Sequence, residues 1–239
     1  MIFLLDEEPN APFPDVSLAE REPNGLLAVG GDLSPQRIIN AYQQGIFPWF
    51  SEGEPILWWS PDPRTVLFPD RIKISRSLRK LLRKKPFKLS FDRDFGGVIQ
   101  ACAEPREHSP GTWLLPEMIE AYQHQHAMGL AHSVEVWQDK KLVGGLYGVA
   151  IGAVFFGESM FSRIPDSSKI ALVHLSRTLR AWGFKMIDCQ VYTQHLASLG
   201  AQEIPRQAFC RNLKNWCKLP GQPGSWSEVP SAYPEVEVC

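Results

Sequence analysis

Read as apolar and polar positions, the 239-residue chain changes character near residue 65. Before that point apolar residues cluster between Pro, Gly and Trp in "EPNGLLAVGGDL", "GIFPWF" and "PILWWSPDPR", and a helical period shows mainly in "SPQRIINAYQQG". There Ser34 is suited to the N-cap, Pro35 to the first helical position and Gly45 to the stop. Beyond it the periods alternate. Residues 65–68 and 87–92 read as strands, and 74–85, 94–103 and 116–129 as helices. Three strands follow at 132–138, 141–152 and 153–162, divided by turns at "DKK" and at Gly152. Ile170, Leu172, Val173, Leu175, Leu179 and Trp182 predict a helix over 167–183 that stops at Gly183. A strand at 185–192 and helices at 194–200 and 206–217 complete the order. The pattern predicts an α+β protein with a mainly antiparallel sheet: a small N-terminal domain over 1–64 and a larger one over 65–239, in which Pro-rich 218–239 is a peripheral tail.

Charge narrows the function classes. A formal net charge of −1 removes a uniformly basic nucleic-acid binder, so a polyanion must be held by a local patch. One exists. Arg76, Arg79, Lys80, Arg83 and Lys84 recur at helical spacing on one face, with Leu78, Leu81 and Leu82 turned to the core and no acid interleaved. A stripe of this kind neutralises phosphates along a nucleic-acid backbone; the alternative is a solvated helix face. Trp49 in "FPWF" and Trp113 in "SPGTWLL" lie in Pro/Gly loops, where a ring either stacks on a base or caps the core. The five cysteines are odd in number and form no Cys-x-x-Cys pair, which predicts reduced thiols rather than a disulfide framework or a zinc ribbon. "MIFLLDEEPN" is too short in its apolar part for a signal-peptide core, and no apolar run approaches the ~18–20 residues of a membrane span. A soluble cytoplasmic protein is expected.

Three polar residues stand out against this background. Glu158 in "VFFGESMFS" lies among Phe155, Phe156, Met160 and Phe161. A carboxylate in apolar surroundings shifts its pKa or finds a partner, so it points to a lined pocket unless that strand face meets water. Asp188 and Gln190 in "IDCQV" are two apart on a strand, which puts both on one face with Cα atoms ~6.8 Å apart. A carboxylate and an amide so placed can orient an amine and take up its proton, although such an Asp is also common as a structural residue. The six histidines show no metal spacing. A Gly-x-Ser-x-Gly elbow, a phosphate-binding Gly-x-x-x-x-Gly-Lys loop and a dinucleotide fingerprint are all missing, and "GGLYGVAIG" reads as bends within strands.

Taken together, "GGDLSPQRIINAYQQGIFPWF", "PILWWSPDPR", "GTWL", "HSVEVW", "LVGGLYGVAIG", "GESMFS", "SSKIAL" and "IDCQV" followed by "HLASLGAQEIPR" closely resemble the bacterial leucyl/phenylalanyl-tRNA–protein transferase family, over roughly residues 12–216. The resemblance implies an N-acetyltransferase-superfamily fold for the larger domain. It implies transfer of Leu or Phe, with Met as a further donor residue, from aminoacyl-tRNA to proteins that begin with Arg or Lys, marking them for degradation by the N-end rule. It implies no cofactor, no metal and no membrane. It places the terminal adenosine between Trp49 and Trp113, and the amino-acid side chain among Leu146, Phe155, Met160, Leu175 and Ile187. Asp188 and Gln190 match the amine-activating pair, and Glu158 matches an acid at the pocket edge. Strand parity sets Phe155 and Glu158 on opposite faces, so a shared pocket requires a bulge, predicted at Gly157. Two other readings compete. An acyl-CoA-dependent N-acyltransferase would want glycines for the pyrophosphate before its main helix, where "FSRIPDSSKIAL" has none. A non-catalytic tRNA-binding module leaves Glu158, Asp188 and Gln190 without a task.

Overall fold

The computed structural model describes residues 2–8, 10–84, 87–105 and 114–229. Strands β1 (Phe3–Leu5), β2 (Leu26–Gly30), β3 (Phe47–Pro48) and β4 (Leu57–Trp59) form a small sheet in the order β1-β2-β4-β3. A seven-stranded sheet holds β5 (Arg64–Leu67), β6 (Lys88–Phe91), β7 (Ala131–Gln138), β8 (Lys141–Ile151), β9 (Val154–Ser162), β10 (Met186–Gln190) and β11 (Gln202–Ile204), in the order β11-β5-β10-β9-β8-β7-β6. All its ladders are antiparallel except β9 with β10. The α+β class and the mainly antiparallel sheet are therefore as the sequence predicts.

Local chemistry explains where elements start and turn. Helix α1 (Pro35–Gln43) opens with the Ser34 side chain accepting from the Arg37 N–H and Pro35 in its first turn, and the chain leaves it through Gly45 at φ +82°. β7 and β8 are joined by Asp139 and Lys140 alone, both at positive φ, the two-residue turn whose twist matches that of the flanking strands. Helices α1, α3 (Phe95–Ala103), α4 (Pro116–Ala127) and α7 (Arg206–Trp216) bury Tyr42, Val98, Tyr122 and Phe209 in one core with Tyr147, Phe156 and Met186 of the large sheet. Helices α2 (Arg76–Lys84) and α5 (Ser167–Ala181) bury Leu78, Leu82, Leu172 and Leu175 in another, with Leu146, Phe155 and Ile187. The short α6 (Gln194–Ser198) follows β10.

Three expectations change. The sequence shows no strand period before residue 60, yet β1, β2 and β4 form there, because strands of three to five residues leave too few positions for a period. Leu81 is half-buried rather than a core residue; Leu78 and Leu82 alone of the three leucines are buried. The described part of the tail is peripheral except at one residue. Trp226 is 0% exposed, packed in the α5-side core, while residues 230–239 lie outside the described residues. The four described cysteines are free thiols, and Cys239 lies outside the described residues.

One feature of the large sheet sets the stage for chemistry. β9 and β10 pair only at Val154↔Met186, Phe155↔Ile187 and Phe156↔Asp188. Past that point β9 runs on to Ser162 paired with β8 alone, and a cleft opens between the parted strands.

Candidate active site

The cleft measures about 820 Å³. Leu146, Phe155, Met160, Leu175 and Ile187 all line it, so the five residues expected to form an apolar pocket come together from β8, β9, α5 and β10. Gly148 makes this floor possible: a Cβ there would lie 2.6 Å from a ring carbon of Phe155 and 2.1 Å from the Phe156 carbonyl oxygen. Trp49, next to β3, is at the mouth with 44% of its surface exposed, and its carbonyl accepts from the Trp59 indole N–H at 2.6 Å.

The bulge predicted on β9 is present. Gly157 pairs with Gly148 and Ser159 with Tyr147, which leaves Glu158 as the extra residue. Its consequence differs from the expectation. The bulge reverses parity beyond it, so Met160 joins Phe155 and Leu146 in one core, while Glu158 turns to the opposite face, against Tyr42 and Tyr122. Phe155 and Glu158 share the cleft because the strands part, exposing both faces of β9 at its edge.

Glu158 is held by three donors from three elements. The Tyr42 hydroxyl of α1 donates to Oε1 and the Tyr122 hydroxyl of α4 to Oε2, each at 2.6 Å, and the Gln190 side-chain amide donates to Oε1 at 2.9 Å. The two phenol oxygens also touch, at 2.8 Å. Burial pushes the Glu158 carboxyl up to about 7, against the lowering effect of the two phenol hydrogen bonds. Tyr42→Phe, which removes one of those stabilising donors, is expected to move the carboxyl further up; a pH titration of the side-chain carboxyl by NMR checks the direction.

Asp188 and Gln190 are near one another but not as an ideal strand would place them. The register of β10 against β5 slips between them, Asp188 opposite Val66 and Gln190 opposite Thr65, with Cys189 as the extra residue. Asp188 is fully buried. Its Oδ1 accepts from Arg64 Nε at 2.8 Å and from the Gln190 backbone N–H at 3.0 Å, and its Oδ2 accepts from an Arg64 terminal nitrogen at 2.7 Å. Arg64 itself lies 4.7 Å from the ring centres of both Phe47 and Phe209 and donates to the Gly45 carbonyl. Gln190 has φ +62°, a left-handed conformation that costs a non-glycine residue about 1–3 kcal/mol unless its surroundings enforce it. The bond from its N–H to Asp188 helps do so, and thereby aims the Gln190 amide at Glu158.

The remaining expectations fall outside this cluster. Trp113 lies in the segment 106–113, outside the described residues, while Pro105 just before it lines the cleft. Arg76, Lys80, Arg83 and Lys84 are exposed on α2 and Arg79 is half-buried; none lines the cleft, and none forms an ion pair among the described residues. No group of three His, Cys, Asp or Glu able to hold a metal occurs among the described residues, and no described helix is long and apolar enough to cross a membrane. Sequence reasoning missed Tyr42, Tyr122 and Arg64. The tyrosines sit on the apolar faces of their helices and read there as core. Arg64 carried one weak signal, a lone charge between Pro63 and the apolar "TVLF".

Comparison with known proteins identifies the family. The family described as leucyl/phenylalanyl-tRNA protein transferase matches residues 66–214, and its N-terminal domain matches residues 31–62. A leucyl/phenylalanyl-tRNA–protein transferase of Nitrosospira multiformis is 64% identical over 202 residues, 84% of this chain and 87% of that protein. One of Nitrosomonas europaea is 61% identical over 217 residues, 91% of this chain and 92% of that protein. A looser likeness, at 11% identity and a TM-score of 0.33, links 68% of this chain to 58% of a GCN5-related N-acetyltransferase from Kribbella flavida. With matches of this extent running through both sheets and the cleft, the chain belongs to the leucyl/phenylalanyl-tRNA protein transferase family.

Proposed function

We propose that the chain transfers leucine or phenylalanine, and also methionine, from aminoacyl-tRNA to the amino terminus of proteins beginning with Arg or Lys, in the cytoplasm and as a mark for N-end-rule degradation. The observation that carries this reading is the meeting of an apolar floor, the Glu158–Gln190 pair and the exposed Trp49 ring in a single cleft. The apolar floor suits an aliphatic or aromatic side chain. Trp49 stacks on the terminal adenosine, with Trp113 as its partner. The ester is already activated, and an α-amino group with a reference pKa of ~7.7–8.0 needs only ~1 kcal/mol to be neutral at pH 7, so positioning and proton handling suffice. Glu158 takes up the amine proton, Gln190 orients the carboxylate, and Asp188 positions Gln190 through its backbone. Residues 1–64 and 65–239 act as two domains, a division supported by the small sheet ending at Trp59 and the large one starting at Arg64.

The test is transfer of labelled phenylalanine from Phe-tRNA to a peptide that starts with Arg, with an Ala-started peptide and acetyl-CoA as controls. Label in the Arg peptide alone supports donor, acceptor and reaction together; acceptance of acetyl-CoA instead would overturn the proposal. The α2 stripe serves the tRNA backbone. Removing two of its charges, as in Lys80→Ala with Arg83→Ala, is expected to reduce the slope of log affinity against log salt by about 1–2. Filter binding of Phe-tRNA over a salt series measures it, and an unchanged slope assigns tRNA binding elsewhere.

A further inference from the structure

The described end of the chain packs into the α5-side core. After α7 it crosses the β8–β9 turn and the connection from α4 to β7 at glycine–glycine contacts. A Cβ on Gly221 would lie 2.6 Å from the Gly152 carbonyl oxygen, and one on Gly129 would lie 3.0 Å from the Gly224 Cα. Bare backbone on both sides lets the segment lie this close. It then delivers Trp226, whose backbone N–H donates to Asp92 Oδ2 at 2.7 Å and whose indole N–H donates to the Gln222 carbonyl at 3.1 Å. The indole stacks on His132, with ring centres 3.6 Å apart and planes at 1°, and meets Trp182 edge-on at 4.9 Å. His132 is fixed in turn by its Nδ1 contact of 2.8 Å with Asp92.

Trp226 also meets Phe91 and Phe184 edge-on, at 5.8 and 6.3 Å between ring centres, and faces Phe155 at 6.1 Å. Phe155 lines the cleft and is confined on another side by Gly148 of β8. We infer that Trp226 is a specificity-setting positioning residue: it buttresses Phe155 from behind and thereby fixes the depth of the amino-acid pocket. The inference rests on the proposed function, since it assigns to Phe155 the pocket for the transferred side chain. A close-packed interior transmits a change of volume to its neighbours, so a smaller residue at 226 lets the Phe155 ring retreat and the pocket deepen. The larger Phe side chain then gains on the shorter Leu.

The experiment compares kcat/KM for Phe-tRNA and Leu-tRNA on the full chain and on Trp226→Leu and Trp226→Phe, with thermal unfolding recorded for each. For Trp226→Leu the Phe-to-Leu ratio is expected to rise roughly tenfold, the lower end of what a one-methylene difference in an apolar pocket commands. Trp226→Phe shifts it in the same direction by less, and carries the test if the Leu variant does not fold. A lowered unfolding temperature with an unchanged ratio makes Trp226 a structural residue only and overturns the inference. Failure of the unaltered chain to transfer either residue would instead overturn the function on which it rests.

Discussion

Glu158→Gln is expected to lower transfer to an Arg-started peptide by roughly 10²–10⁴ near pH 8, the usual contribution of a positioned general base. The reaction forms a bond between the acceptor nitrogen and the ester carbonyl carbon and breaks the bond to the ribose oxygen. In the proposed mechanism the proton leaving the nitrogen passes to Glu158 and then to that oxygen, which departs as a tRNA hydroxyl. Only the ionised carboxylate accepts it, and burial has raised this carboxyl to about 7. The rate for the unaltered chain should therefore climb as pH passes through about 7, a limb distinct from the acceptor amine's own ionisation near ~7.7–8.0. In the Gln variant the lower limb disappears and the amine's remains. A pH–rate profile of kcat/KM on both proteins decides it, and retention of the lower limb in the variant would remove Glu158 from the proton path.

The same shift has a sign in stability. A carboxyl whose pKa is raised on folding contributes most below its unfolded value of 4.5, and that contribution is lost as pH rises through about 7. Glu158→Gln cannot lose it. The variant should gain stability relative to the unaltered chain across this window, as urea unfolding at pH 4.5 and pH 8 would show.

The second large effect is on folding. Asp188→Ala or Arg64→Ala leaves the partner's charge buried and uncompensated, since both side chains are almost wholly buried, at 0% and 1% exposure. Loss of one member of such a pair costs about 3–5 kcal/mol. The double change Arg64→Met with Asp188→Leu, apolar on both sides, should recover much of that stability. It should not recover transfer. Without the Asp188 oxygen the Gln190 N–H has lost its acceptor, the left-handed backbone at Gln190 relaxes, and the amide no longer points at Glu158. Denaturant unfolding and transfer rates on the two single variants and the double variant separate these outcomes. A stable double variant with unaltered transfer would show that Asp188 has no part in positioning Gln190.

Where contacts are local, the chain announces itself. The alternation through 131–151 yields β7, β8 and their two-residue turn, and the apolar spacing of 167–181 yields α5, because strand and helix periods repeat over neighbours a few residues apart. Glu158 was conspicuous for the same reason, as one acid within an apolar run, whereas the bulge beside it was expected only once the family resemblance set it in one pocket with Phe155. The five residues of the apolar floor came only through the family resemblance, for each reads locally as ordinary core. The partners that give Glu158 and Asp188 their properties are distant. Tyr42 lies 116 residues from Glu158, Arg64 lies 124 from Asp188, and Trp226 lies 134 from Asp92. No period links such positions. A tyrosine on an apolar helix face looks alike whether its hydroxyl meets water or a carboxylate, and a tryptophan in a Pro/Gly-rich tail looks like a solvated ring until the core receives it. The sequence by itself determined most of the elements beyond residue 64, the mainly antiparallel class and the acid that marks the cleft. The tertiary structure decided the parting of β9 from β10, the partner of each buried charge and the seat of Trp226, because hydrogen bonds and close packing act between atoms brought together only when the sheets and helices assemble.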